Sequence, residues 1–207
     1  MKMTIKSTLL ILGYFLAATS IAIIVTTNVS IFLLYPFEKG IAWENVITDY
    51  QRLLVYLQVP GFYHLTFRYL PISNNASAHF RVIRHLLIAN EVLCVTSWGT
   101  IIINNRHEKK RNQLLVLISL IDYLCFTLLV MVGLVSIDFD RVFIAFHRLM
   151  FSDSNWIFNP STDPIINAMA PNFFLKLFFI WFVVSVLVLI SLRMYNKRKL
   201  LRGKFCF

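Results

Sequence analysis

Apolar residues in this sequence fall into four long runs, near residues 7–35, 83–103, 114–136 and 173–192, with few charges inside them. A helix needs roughly 20 residues to cross about 30 Å of hydrocarbon. Each run is long enough, and a backbone in lipid must satisfy its own hydrogen bonds, so four transmembrane helices are expected. The stretches at 36–82 and 137–172 mix polar and apolar positions instead. Within the first, Val46, Tyr50, Leu53, Leu54 and Leu57 recur at helical spacing and predict a helix over 43–57, along the membrane surface or under a cap. Residues 61–71 come close to alternating aromatic and polar positions between Pro60-Gly61 and Pro71, which predicts a short strand or an extended segment. In the second, Asp163-Pro164 reads as an N-cap followed by proline at the first helical position, opening a short helix over 164–169 that Pro171 ends. The expected fold is one integral membrane domain over 1–207: an all-α bundle of four transmembrane helices with a small mixed extracytoplasmic cap built from 36–82 and 137–172.

Composition supports the bilayer as solvent, with 58% hydrophobic and only 14% charged residues among 207. The first run could be a signal peptide after Lys2 and Lys6, but it continues for almost thirty residues with no clear small-residue cleavage site, so it reads as a retained anchor. Basic residues set the orientation, because Lys and Arg beside a span resist translocation. Arg106, Lys109, Lys110 and Arg111 between runs two and three, and Arg193, Lys197, Arg198, Lys199, Arg202 and Lys204 after run four, put both termini in the cytoplasm. The two long connections, which hold most of the acidic residues, are then outside. A net charge of +10 concentrated beside spans reflects topology and anionic headgroups, and argues against nucleic acid as a partner. Cys94 and Cys125 fall within predicted helices and Cys206 in the tail, so no outer disulfide or metal site is expected, and no cofactor. No internal repeat supports a transporter of the inverted-repeat kind.

His79 stands a few residues before the second run and His147 inside the second connection, both among aromatics at the outer interface. Histidine titrates near neutrality, so two of them can divide general-base and general-acid work. A lone interfacial histidine more often packs or hydrogen-bonds; two in matching settings weaken that reading. Arg81 and Arg148 are candidate binders of an anionic headgroup or an oxyanion, since guanidinium forks match such oxygens, whereas Arg84 reads as a headgroup anchor. Phe143, Phe146, Phe151, Trp156, Phe158, Phe173 and Phe174 crowd around His147, with Phe146, Phe151 and Trp156 the candidate substrate-contacting rings. Aromatic belts are ordinary at membrane interfaces, and only the crowding around ionisable groups points to function. Glu91 and Asp122 lie inside predicted spans, where charge is costly, so a proton path stands beside plain helix–helix hydrogen bonding. Asn75-Ala76-Ser77 matches a short glycosylation sequon. No Gly-x-Ser-x-Gly, His-Glu-x-x-His or phosphate-binding glycine loop is present. A membrane enzyme therefore competes with a small proton-coupled transporter and with a non-catalytic binding protein.

Two blocks are distinctive together: His79-Phe-Arg-Val-Ile-Arg84, and Phe146-His147-Arg148-Leu-Met-Phe151 continuing through Asn155-Trp156-Ile-Phe158 and Thr162-Asp163-Pro-Ile-Ile to Pro171-Asn-Phe173-Phe174. They resemble the bacterial lipoprotein intramolecular transacylase family, whose four-helix plan matches over the whole chain. The resemblance implies a membrane enzyme of low-GC Gram-positive bacteria acting on diacylglyceryl-modified lipoproteins. An acyl chain would move from the glyceryl sn-2 ester to the α-amino group of the N-terminal cysteine, giving a lyso-form lipoprotein. The family's two catalytic histidines map onto His79 and His147, and an acidic residue is often expected where this chain has Val82. Donor ester and acceptor amine belong to one substrate, so the site mainly has to fold that substrate. Oriented intramolecular reactions can reach effective molarities of roughly 10⁵–10⁸ M.

Overall fold

The computed structural model describes residues 5–36, 40–61, 64–106, 111–151, 154–169 and 172–202. All regular secondary structure among them is helical. The chain runs through α1 (Ile5–Val29) with a 3-10 turn at Ser30–Leu33, α2 (Trp43–Gln58), α3 (Asn74–Arg106), α4 (Arg111–Ile137), α5 (Phe139–Met150), a 3-10 turn at Ser154–Trp156, α6 (Ile165–Ala168) and α7 (Asn172–Arg202). Among the described residues, four segments are long and apolar enough to cross a membrane, Thr8–Leu33 and helices α3, α4 and α7, with mean hydropathies of 1.8 to 2.7. The expected mixed cap is replaced by helices and irregular chain. Of the strand or extended segment expected at 61–71, no strand forms among the described residues, which are irregular chain, and Phe62 and Tyr63 lie outside them.

Helix α3 is the largest departure in length, starting at Asn74 rather than near 83. Hydropathy marks only the part of a helix that lipid must solvate; its 33 residues extend about 50 Å, well beyond what the hydrocarbon requires. Its start is fixed by Ser73, whose Oγ accepts from the Ala76 amide at 3.1 Å. The same extension places His79 in the second turn of a rigid helix instead of in a loop.

The chain divides into two compact units, each with its own core. The first comprises Met1–Ile23, Glu91–Leu134 and Ile180–Phe207. Its interior holds Tyr14, Ala17, Ala18, Ile101, Ile121, Leu128, Leu189 and Leu192. The completely buried alanines let the α1 backbone be approached closely, as small residues do in membrane helix packing. Trp98 Nε1 donates to the carbonyl of Ala17 at 3.2 Å, and Asn196 Nδ2 to the Tyr14 hydroxyl at 3.3 Å. Arg193 and Asp122 form a two-pronged ion pair, Nε to Oδ1 at 2.5 Å and Nη2 to Oδ2 at 3.1 Å. Glu91 has no such partner among the described residues. Cys94 and Cys125 are free thiols; Cys206, Lys204 and residues 107–110 lie outside the described residues.

The second unit comprises Ile24–Asn90 and Val135–Phe179. The predicted helical face of α2 forms its centre: Val46, Tyr50, Leu53 and Leu57 are buried with Leu70, Ala76, Phe80, Ile165, Ala168, Met169 and Phe173. Two buried carboxyl groups tie irregular chain to this core. Asp49, fully buried, accepts the amides of Arg68 at 2.7 Å and of Tyr69 and Leu70 at 2.8 Å each. Those amides would have faced a neighbouring strand; a carboxylate on α2 takes them instead, which is why 64–70 needs no sheet. Asp163 accepts from the Ser73 amide at 2.7 Å and from Thr162 Oγ1 at 2.9 Å. It therefore serves the approach to α3 and does not cap α6, where Pro164 occupies the N-cap position without a side-chain bond. The expected helix over 164–169 shortens to Ile165–Ala168 because a single turn supports only one such set of bonds, and Pro171 lies outside the described residues.

Arg84 also departs from its expected role. Only 5% exposed, its guanidinium donates to the carbonyls of Tyr56 (2.7 Å), Val59 (2.9 Å) and Gly61, and lies over the Tyr56 ring. Carbonyls at a helix C-terminus lack intrahelical donors and carry partial negative charge. Arg84 answers both needs at the end of α2, which takes it away from any lipid headgroup.

Candidate active site

Helix α5 positions the second histidine and was not anticipated. Asp138 caps it, its Oδ1 accepting from the Arg141 amide at 3.1 Å and its carboxylate pairing with the exposed Arg141 guanidinium. Phe139, Phe143 and His147 recur every four residues and so share one helical face. Phe146, Leu149 and Met150 are left exposed, a distribution suited to a helix lying in a membrane interface.

The face carrying His147 meets the second turn of α3. The rings of His79 and His147 lie 6.0 Å apart between centroids, inclined by 32°. Phe151 serves both, 4.5 Å from His79 and 5.5 Å from His147, where it stacks. Phe158 stands edge-on to His79 at 5.5 Å, with Phe80 beside both. Around His147 stand Phe143 at 4.1 Å, Trp156 at 5.0 Å and Phe146 edge-on at 5.5 Å. Phe174 packs on Phe143 and Phe173 on Phe174. The aromatic set named from sequence is therefore one continuous wall, with Phe80 an added member.

The two imidazoles differ in their bonding. His147 Nδ1 lies 2.8 Å from the carbonyl oxygen of Phe143. A carbonyl only accepts, so this contact assigns the proton of the neutral ring to Nδ1 and leaves the Nε2 lone pair free. Burial lowers the His147 pKa below its ordinary value, partly offset by the Phe143 carbonyl, and the ring is therefore neutral at pH 7. His79 is 6% exposed, and its Nδ1 is buried without a hydrogen-bond partner. Val82, one turn on, is apolar and 41% exposed, so no carboxylate orients His79 from that position. An unsatisfied buried ring nitrogen costs roughly 1–3 kcal/mol, which a polar ligand group would recover.

Arg81 and Arg148 are both exposed and flank the pair in sequence, each two residues or fewer from a histidine. Neither has a partner among the described residues, so both guanidinium groups are available at the surface. No group of three or more His, Cys, Asp or Glu side chains able to hold a metal occurs among the described residues. The pair of nitrogen bases within an apolar wall is suited to moving a proton between two substrate atoms. Asp49, Asp163 and Arg84 were missed as organisers of this site; Asp163 precedes Pro164, but nothing local distinguishes any of the three from a surface charge.

The fold is similar to that of the membrane integral lipoprotein intramolecular transacylase Lit from Bacillus cereus, with a TM-score of 0.70 at 20% identity, covering 96% of this chain and 97% of that one. Two variants of that protein, in which a histidine is replaced by arginine or by alanine, match with TM-scores of 0.64 and 0.59 at 20% and 22% identity. Both matches cover 94% of this chain, and 93% and 94% of theirs. No curated protein matches by sequence. The sequence profile of lipoprotein intramolecular transacylase Lit matches residues 4–174, most of the chain and all of the residues that wall the histidine pair. This membrane-integral chain belongs to the lipoprotein intramolecular transacylase family, and its activity is that of an acyltransferase.

Proposed function

We propose that His79 and His147 carry out the transacylation at the outer face of the membrane, on a diacylglyceryl-modified lipoprotein. The observation supporting this reading is the 6.0 Å separation between the ring centroids of a buried and a half-buried imidazole inside one aromatic wall. The attacking nitrogen and the departing oxygen are bonded to one tetrahedral carbon, so two ring nitrogens about 2.9 Å from them must belong to neighbouring rings. The free Nε2 of His147 takes a proton from the cysteine α-amine as its nitrogen bonds to the carbonyl carbon of the sn-2 ester. The tetrahedral intermediate then collapses, the carbon–oxygen bond to glycerol breaks, and the proton taken by His147 is passed through His79, a ring that burial keeps neutral at rest with its pKa down to about 4, to the departing sn-2 oxygen, so that both rings end as they began. One amide forms, one ester is lost, and the substrate's mass is unchanged. Each histidine contributes roughly 10²–10⁴-fold by proton transfer.

Arg148 and Arg81, exposed beside the pair, take the substrate's polar groups or the oxyanion. Phe146, Phe151 and Trp156 hold the acyl chains and exclude water, so that the ester is transferred and not hydrolysed. The charge asymmetry of the chain supports both termini in the cytoplasm and the histidine-bearing connections outside. The Asp122–Arg193 ion pair occupies one of the two carboxyl groups that a transport reading would use.

Mass spectrometry of the N-terminal lipopeptide of a diacylated reporter tests the assignment. With the unmodified chain, fragment ions place one acyl group on the cysteine nitrogen; with His147→Ala they place both on glycerol. Continued N-acylation by a stably inserted His147→Ala protein would remove His147 from the chemistry.

A further inference from the structure

A groove in the first unit has no part in this chemistry. About 680 Å³ in volume, it lies between α1, α3 and α7 and is lined by Ile21, Trp98, Ile102, Leu187 and Val188, among others. Its lining on α7 runs from Val184 to Tyr195. Eleven helical steps span about 16 Å, close to half of a hydrocarbon core about 30 Å thick, which is the depth of one leaflet. Ile102 and Leu187 are more than half exposed, so the groove opens sideways, toward the position of lipid.

The lining changes character along its length. Ile21, Val184 and Val188 mark an apolar end, whereas Asn105, Arg106 and Tyr195 mark a polar one. Arg106 closes α3, exposed and without a partner among the described residues. Lys199 Nζ donates to the Asn105 carbonyl at 3.1 Å, which brings a second cation to the same end. Both belong to the basic clusters that charge assigns to the cytoplasmic side. An apolar trough one leaflet deep, closed by two cations and a phenol, has the polarity of an anionic phospholipid.

We propose that this groove binds one anionic phospholipid of the cytoplasmic leaflet, with an acyl chain along Trp98, Leu187 and Val188 and its phosphate at Arg106 and Lys199. Guanidinium and ammonium groups both complement phosphate oxygens, the former in bidentate fashion. Headgroup charge thus sets affinity and the trough sets placement. The site is independent of the histidine pair, and its occupancy is measured without turnover.

Trp98 supplies the probe. In the full chain with Trp98 as its only tryptophan (W43F, W156F, W181F), fluorescence is followed in phosphatidylcholine vesicles containing increasing brominated phosphatidylglycerol or brominated phosphatidylcholine. Half-maximal quenching by the anionic lipid is expected at roughly a thirtyfold lower mole fraction, as two basic residues at a membrane surface provide. The preference disappears in R106Q/K199Q and survives in R106K. Native mass spectrometry of the otherwise unsubstituted chain provides a second measurement: phosphatidylglycerol adducts exceed phosphatidylcholine adducts, and R106Q/K199Q equalises them. Equal quenching by both lipids, or a preference retained in R106Q/K199Q, overturns the proposal. Absence of quenching by either lipid in a helical, inserted protein also overturns it.

Discussion

Replacing Asp49 with asparagine tests whether one buried carboxylate organises the chain leading into α3. Its Oδ2 accepts two amides and its Oδ1 one, all at 2.7–2.8 Å with the side chain fully buried. Asparagine keeps a single acceptor oxygen. Turned toward Tyr69 and Leu70, it sets its NH₂ group against the Arg68 amide, donor facing donor. One charge-assisted bond, about 1.5–3 kcal/mol, is lost, and the other two weaken as the acceptor becomes neutral. A combined loss of about 3 kcal/mol in local stability corresponds to roughly a hundredfold in the opening equilibrium. Hydrogen exchange followed by mass spectrometry reads this directly: amides of 66–70 exchange about a hundredfold faster in Asp49→Asn, while the middle of α4 is unchanged. Leu70 packs in the same core as Ala76 and Phe80, on either side of His79 in α3, so transacylation falls with the loss of order. Protection of 66–70 equal to that of the unmodified protein would refute the reasoning, as would a uniform loss of protection everywhere.

Arg84→Met removes three donors from the end of α2 and is expected to cost about 3 kcal/mol, read as a lowered thermal midpoint in detergent, with Arg84→Lys intermediate. His147 must be neutral to accept a proton, and burial depresses its pKa. The cysteine α-amine of the substrate titrates at roughly 7.7–8.0 and sets one inflection there, so His147 should add a second, separate inflection only below about 6.5, the ordinary histidine value; a second inflection between about 6.5 and that of the amine in a pH–rate profile contradicts the role. Trp156→Ala opens the wall beside His147 and should admit water, yielding a reporter that has lost one acyl chain, whereas Trp156→Phe keeps transfer dominant. Glu91→Gln and Asp122→Asn should each retain transacylation within a few-fold in a lipopeptide assay, and loss of activity in both stably inserted variants would show that these carboxyl groups take part in the reaction.

The spans were legible because lipid imposes a continuous apolar run that hydropathy reads directly, and the face of α2 was legible from the spacing of Val46, Tyr50, Leu53 and Leu57. The start of α3 was not, because residues 74–82 are helical on polar ground that no hydropathy window marks. Helix α5 escaped notice although Asp138 and the four-residue recurrence of Phe139, Phe143 and His147 encode it; its aromatics resemble an interfacial belt as much as a helical face. Residues 64–70 read as extended because alternation does not say what accepts the amides, and a carboxylate nineteen or more positions away does so here. Both histidines were named from residues and resemblance, but their separation and the Nδ1 contact of His147 are tertiary facts. Arg84 shows the limit most plainly: a guanidinium near an interface looks the same in sequence whether it meets a headgroup or the end of a helix.

The central claim is tested most directly by following one acyl chain. A diacylglyceryl reporter lipoprotein carrying an isotopically heavy chain at sn-2 is mixed with an unlabelled reporter of different peptide sequence, and both are treated with this protein. Every heavy N-acyl group is expected on the peptide that brought it, with total mass unchanged, and His79→Ala and His147→Ala are expected to abolish its appearance. Heavy chains on the unlabelled peptide, or transfer undiminished in both variants, would contradict the claim.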